Sequence, residues 1–234
     1  MPKSVFTQKD LRELPAYGVA EAAGYLRLPK STLRAWLLGQ RYHAADGHSK
    51  RFHPVIEIAD GKQRQLSFIN LTEAFVLAGI RREHGIALGK VRKAIEYLRR
   101  SFHSRRPLAE EQFTTDGVDL FVEKYGALIG ATQEGQIQLR EVILGRLKLV
   151  RRDPKGIPEK LVLFPAPRSF KNGADVIVDA KLSFGRPVLE GVGVRTAILA
   201  ERLAAGESIE MLAEDYNAAP DAIQNAIRFE LRAA

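Results

Sequence analysis

Between Tyr17 and Gly39 the chain spells two short amphipathic helices with almost no room between them, and no other feature narrows its fold so far. Val19, Ala22, Ala23 and Leu26 fall on one helical face. Arg27-Leu28-Pro29-Lys30 then breaks the helix, because proline lacks the N–H that a helix interior needs. Ser31 reads as the N-cap of the next helix, with Leu33, Trp36 and Leu37 on its inner face. Isolated helices shorter than roughly 12–15 residues are marginal in water. Both stretches must therefore bury their apolar faces against each other and a scaffold, which is the helix-turn-helix plan.

The next stretch reads as that scaffold. Val55-Ile56-Glu57-Ile58 and Leu66-Ser67-Phe68-Ile69 are short apolar runs separated by Asp60-Gly61 and a polar loop, a β-hairpin signal placed where a wing would sit. Asn70 reads as the cap of a further helix in a capping box with Glu73, and Leu71, Ala74, Phe75 and Ala78 line one face up to Gly85. A partner helix carries Val91, Ala94, Ile95, Leu98 and Phe102 inside, with Lys90, Arg92, Lys93, Arg99 and Arg100 outside. That basic face reads as solvated charge, with a phosphate-tracking surface as the sharper alternative. Phe113-Thr114-Thr115 and Val118 to Val122, joined by Asp116-Gly117, look like a second hairpin; Ile137 to Leu149 reads as a helix and Leu161 to Phe164 as a strand. Pro165 to Gly173 is the best linker candidate. Beyond it, three helices are expected: Ala197 to Leu203, Ile209 to Tyr216 opened by Ser208, and a last one with Pro220 in its first turn and Ile223, Ala226 and Ile227 inside. The fold class is thus mainly α with a smaller β component. It divides into a winged unit with dimerisation helices (1–106), an α+β connector (107–173) and a C-terminal three-helix helix-turn-helix domain (174–234).

Composition separates the two ends. Residues 1–106 carry 20 Lys and Arg against 9 Asp and Glu, whereas residues 107–234 carry 16 against 19. A cationic surface gains affinity for nucleic acid by releasing condensed counterions, so the front end is the one suited to DNA. The absence of cysteine excludes disulfide frameworks, thiolate nucleophiles and thiolate zinc sites. No segment approaches the roughly 20 apolar residues that span a bilayer, and Met1 to Asp10 carries no signal-peptide core, so a cytoplasmic protein with no membrane partner is expected.

A recognition helix sets its first exposed residues against base edges while its apolar side holds to the scaffold. Lys30, Thr32, Arg34 and Ala35 are those positions here, with Arg34 able to pair bidentately with guanine and Lys30 and Ser31 to meet phosphate near the helix start. Arg41, Lys50 and Arg51, joined by Lys62 and Arg64, suit backbone or minor-groove contact by the wing. His43, His48 and His53 have no carboxylate or thiol at ligand spacing, so neither a metal nor a cofactor is expected. Glu21-Ala22-Ala23, Leu26, Leu28, Ser31-Thr32-Leu33-Arg34 and Trp36 together resemble the start of MerR-like and excisionase-like DNA-binding domains.

The last segment has another character. From Arg186 onward five basic residues stand against eight acidic ones, a poor surface for DNA, although Asp221, Gln224, Asn225 and Arg228 are the outward positions expected of its last helix. Gly185-Arg186-Pro187-Val188, Gly191, Val194-Arg195, Leu203 to Ile209, Leu212, Asp215-Tyr216 and Ala226 resemble a small bacterial domain of unknown function found in antitoxins. With the N-terminal motif and the chain length, the whole resembles the long VapB-type antitoxins. The resemblance implies a type II antitoxin that neutralises a PIN-like ribonuclease toxin and binds operator DNA to autoregulate its operon. A homodimer is expected, with dimer contacts through the helices between Asn70 and Phe102. One departure is that short antitoxins have a disordered toxin-wrapping tail, and this chain has none. Because such nucleases cluster carboxylates around metal, the cations near the C-terminus, Arg228 and Arg232, are the candidate toxin-binding residues. No serine has a nearby His/Asp pattern and no Gly-x-x-x-x-Gly-Lys loop is present, so no enzyme is expected. The alternatives are a stand-alone MerR-like, ligand-responsive transcription regulator and a protein-interaction adaptor.

Overall fold

The computed structural model describes residues 10–43, 49–82 and 88–231, and its chain forms two compact units, Met1–Pro158 and Glu159–Ala234. Within the first unit, a turn of 3₁₀-helix at Leu11–Glu13 precedes β1 (Tyr17–Gly18), α1 (Val19–Leu26) and α2 (Lys30–Leu38). There follow β2 (Gln40–His43), β3 (Ser49–Phe52), β4 (Gln65–Leu66), α3 (Phe68–Arg82) and α4 (Leu88–Phe102). A π-helical turn at Phe113–Gly117 leads into α5 (Val118–Ile129), α6 (Gln133–Leu147) and β5 (Val150–Arg152).

The centre of this unit is α3. Every residue from Leu66 to Ile80 is buried, so no polar face remains and the helix is enclosed on all sides. The single apolar stripe expected for it is therefore corrected, and the stretch from Leu66 to Ile80 leaves no free face for the dimer contact expected there. Helices α1 and α6 lie against it, while α4 and α5 pack on each other. Arg146 of α6 crosses α3 with its guanidinium 3.5 Å from the centre of the Phe75 ring, its Nε donating to the Phe75 carbonyl at 3.2 Å. A Cβ on Gly79 would lie 2.6 Å from that arginine stem, so the close crossing requires glycine there.

Three readings of this half change. The apolar runs at 55–58 and 66–69 do not form a hairpin. Val55 and Ile56 are buried as irregular chain, both N–H groups donating to the Trp36 carbonyl, at 2.7 and 3.1 Å. Gln65–Leu66 pairs instead with Tyr17–Gly18, and Phe68 already opens α3. A buried coil and a buried helix start are as apolar as strands, which is what misleads the pattern. The helix is capped by Ser67, not Asn70: Ser67 N–H donates to Asn70 Oδ1 at 3.2 Å and Asn70 N–H returns to Ser67 Oγ at 3.1 Å. Phe113 to Val122 is helical throughout, because Gly117 is needed for packing and not for a turn: a Cβ there would meet the Phe102 and Phe113 rings at 2.8 Å. Gly85 lies outside the described residues.

The second unit takes all but the first residue of β6 (Pro158–Phe164), then β7 (Val176–Asp179) and β8 (Val188–Leu189), followed by α7 (Thr196–Ala204), α8 (Ile209–Asp215) and α9 (Pro220–Leu231). β7 runs antiparallel between β6 and β8 and is buried along its whole length. Val176, Leu189, Leu199, Leu212, Ile223, Ala226 and Phe229 join sheet and helices in one core. The segment Pro165–Gly173 is the loop joining β6 to β7, tied back by the Ala166 N–H donating to Asp175 Oδ1 at 2.8 Å. It is not a linker between domains, and the segment 107–173 does not stand apart: residues to Pro158 belong to the first unit and the rest to the second.

Candidate nucleic-acid interface

The interface starts from the way α1 hands over to α2. Arg27 closes α1 in the left-handed conformation (φ 53°), its N–H reaching the carbonyls of Ala23 and Gly24. Pro29, not Ser31, is the N-cap of α2, and no side chain caps its first turn. Proline fits the boundary because its fixed φ leads into the helix, which leaves Ser31 one place inside with its hydroxyl free of a capping duty. Leu33, Trp36 and Leu37 are buried at 1% or less, pinning one side of α2 to the scaffold. Lys30, Ser31 and Arg34 stand exposed on the other, with Thr32 half-buried.

The wing begins immediately after α2. Gly39 has φ 76°, and a Cβ there would overlap the Phe52 carbonyl oxygen, so only glycine allows the chain to fold back this tightly. The hairpin of β2 and β3 puts Gln40 opposite Phe52, Arg41 opposite Arg51, Tyr42 opposite Lys50 and His43 opposite Ser49. His48 lies outside the described residues.

Between α2 and the wing lies an open groove of about 550 Å³, lined by Ser31, Thr32, Arg34, Gln40, Arg41 and Arg81 among others. Arg81, at the end of α3, is a residue the sequence pattern did not single out. Its guanidinium lies 5.8 Å from the centre of the Trp36 ring and its Nε has no hydrogen-bond partner among the described residues. The signal that would have found it is the basic pair Arg81-Arg82 closing the uncharged run from Ala74 to Ile80. The structure thus brings Ser31, Thr32, Arg34 and Arg41 to one groove, puts Lys30 on the same helix start, and places Lys50 and Arg51 on the wing by register.

Lys62 and Arg64 sit elsewhere. They belong to the turn between Asp60 and Gln65, where Asp60 Oδ1 accepts from the N–H groups of Lys62 at 2.8 Å and Gln63 at 2.9 Å. That turn leads into β4, so they are not in the wing hairpin loop.

In the second unit, Arg228 is half-buried with its guanidinium 5.4 Å from the centre of the Phe170 ring. Asn225, expected to face outward, is fully buried and donates Nδ2–H to the Ala174 carbonyl at 2.9 Å. Its spacing from Gln224 put it on the wrong side of a helix whose inner face is wide. Arg232 lies outside the described residues. Arg202 is committed to Glu207 and Asp215, which hold its guanidinium charged by hydrogen bonding and raise its pKa. Among the described residues, no helix is long and apolar enough to cross a membrane.

Comparison with known proteins agrees with this division. Residues 15–95 match a family model described as "Putative DNA-binding HTH domain", and residues 176–229 match a protein family of unknown function, DUF433. The chain is 27% identical over 231 residues to the protein named "Putative antitoxin VapB45" of Mycobacterium tuberculosis, an alignment covering 92% of this chain and 93% of that protein. It is 26% identical over 222 residues to the uncharacterized protein Rv2308 of the same organism, covering 91% of this chain and 89% of that one. The fold is shared with the crystal structure of Rv2018 from M. tuberculosis, with a TM-score of 0.67 at 24% identity over 94% of this chain and 98% of that one. The resemblance to VapB-type antitoxins, read from the two ends of the chain, therefore extends along nearly all of it.

Proposed function

We propose that this chain is the antitoxin of a type II toxin–antitoxin system, a binding protein that holds a PIN-like ribonuclease inactive and represses its own operon as a homodimer on operator DNA. The observation that carries the DNA half of this reading is the groove between α2 and the wing, where Arg34, Arg41 and Arg81 converge and, among the described residues, no carboxylate lines the walls. Arg34 reads guanine, Lys30, Ser31 and Thr32 fix the helix start on phosphate, and Arg41, Lys50 and Arg51 carry the wing along the backbone. Lys62 and Arg64 reach only flanking phosphate. The toxin half rests on likeness to a protein bearing the antitoxin name over 92% of this chain.

On the inhibitory side, Arg228 and Arg232 offer guanidinium groups to the clustered carboxylates with which a nuclease of this class holds its metals. Stacking on Phe170 limits the freedom of Arg228 and so lowers the entropy lost on docking. The test is co-expression with the product of the neighbouring reading frame, followed by affinity capture and a ribonuclease assay. A stable complex with suppressed activity, whose nuclease is released by Arg228→Ala with Arg232→Ala, is the expected result. Absence of a complex with DNA binding intact would leave a stand-alone transcription regulator.

A further inference from the structure

A second concavity opens next to the chain that leaves the wing, at His53 and Pro54. It is a cleft of about 990 Å³ between α4 and α5, and five cations, Arg92, Lys93, Arg99, Arg100 and Lys124, face Glu96 as the one carboxylate among the described residues of its lining. Glu96 is already drawn to Arg99 and Arg100, at 3.7 and 4.0 Å, so it cannot neutralise the rest. Among the described residues Lys93 has no ionic partner, and Lys124 rests over the face of Tyr97 at 5.2 Å. Arg92 is the most telling: its guanidinium lies 4.8 Å from the Phe52 ring, and its Nε and Nη2 are buried without a hydrogen-bond partner among the described residues. A solvated helix face would leave those donors in water, whereas here they are held dry against an aromatic ring, unmatched.

We infer that this cleft binds the phosphate backbone of the same duplex that α2 and the wing engage, extending the footprint past the wing. The inference rests on the DNA-binding reading of that groove. Continuity with the wing supplies the occupant. β3 ends at Phe52, which carries Arg92, and the next residues, His53 and Pro54, form the near rim of the cleft. A backbone passing along the wing therefore enters the cleft directly. Lys90, Lys93, Tyr97 and Arg100 are exposed along one side of α4. At 1.5 Å per residue this stripe is about 15 Å long, enough to follow several phosphates.

Because the electrostatic part of DNA binding is independent of sequence, the test needs no operator. The dependence of affinity on salt is measured with a random 40-base-pair duplex for the full chain, and again for Lys93→Gln with Arg100→Gln and Lys124→Gln. All three sites are exposed, and melting temperature checks that the fold is kept. The expected result is a slope of log affinity against log salt shallower by about 2.7 per bound protomer, which is about 0.9 for each phosphate that the variant no longer neutralises. Lys93→Arg with Lys124→Arg keeps the slope. An unchanged slope in the triple variant, with a slope that falls in Lys30→Gln with Arg41→Gln, overturns the cleft and leaves the recognition groove standing. A flat salt dependence in the unaltered chain overturns both. Inorganic tripolyphosphate serves as a third probe: if it binds the unaltered chain and not the triple variant while the DNA slope is unchanged, the cleft is a small-anion site and the inference fails.

Discussion

Glu73 is the residue whose chemistry departs furthest from its place in the sequence pattern. It reads as the second half of a capping box, yet it is 1% exposed in the middle of the first unit. Burial pushes its carboxyl up to about 7, against the opposing pull of Arg106 and Arg99 and the hydrogen bond from Asn70. A carboxyl with a raised folded-state pKa binds its proton more tightly folded than unfolded, so its contribution is largest at low pH and declines as pH rises. Between the ordinary value of 4.5 and about 7, that decline amounts to about 3 kcal/mol. Asp10 and Asp153 act in a different window: their pKa values are lowered by Arg12, and their contribution is lost only as pH falls through the acid range. Glu73→Gln is expected to reduce the fall in stability between about pH 4.5 and 8, read by denaturant unfolding at several pH values; an undiminished pH slope would assign it elsewhere, with Glu110 the other carboxyl that burial raises. Gly39 is the second residue with a sharp expectation. Gly39→Ala must absorb both the positive φ and the clash with the Phe52 carbonyl, a cost of about 2–3 kcal/mol. Because the strain falls where the wing begins, DNA affinity should fall more than the melting temperature suggests. Of these features, the glycine's place at a helix end is legible in the sequence, but Glu73's burial is not, since periodicity cannot show that a helix is covered on every side.

At the scale of elements, what is legible depends on length and period. α1, α2, α4 and α9 present one apolar face each, and the spacing of their apolar residues gives their position to within a residue or two. The wing escapes that logic. β2 and β3 consist mainly of Gln, Arg, Tyr, His, Ser and Lys, and so lack the alternation that marks a half-buried strand. The apolar run that does look like a strand, Val55 to Ile58, is instead held to α2 and to Asn70. Asn70 is the joint of this region: Oδ1 accepts from Ala59 N–H at 2.8 Å, and Nδ2 donates to the Glu57 carbonyl at 2.8 Å, all around a fully buried amide. Asn70→Ala strands two backbone groups as well as Ser67 N–H, and a cost of about 3 kcal/mol is expected. Over a unit of this size that corresponds to roughly 6–12 °C of melting temperature. A loss below about 1 kcal/mol would mean that water or rearranged chain satisfies these groups instead.

At the scale of the whole molecule, charge divides along the same line as structure. Met1–Pro158 carries 27 Lys and Arg against 17 Asp and Glu, while Glu159–Ala234 carries 9 against 11. Net charge alone would attract DNA to the chain without saying where, whereas the proposed surfaces, the groove beside α2 and the cleft beside α4, both belong to the first unit. Two paired substitutions with equal effect on net charge separate these accounts. Lys171→Gln with Arg195→Gln, both exposed in the second unit, should leave the salt dependence of DNA binding unchanged. Lys30→Gln with Arg41→Gln, in the first, should make the slope shallower by about 1.8 if one protomer binds. On a two-fold symmetric operator each substitution is counted twice, and the change becomes about 3.6. The same titration therefore reads the location of the interface and the number of protomers on it. Equal changes for the two pairs would mean that the field of the whole molecule, not a built surface, draws the duplex in.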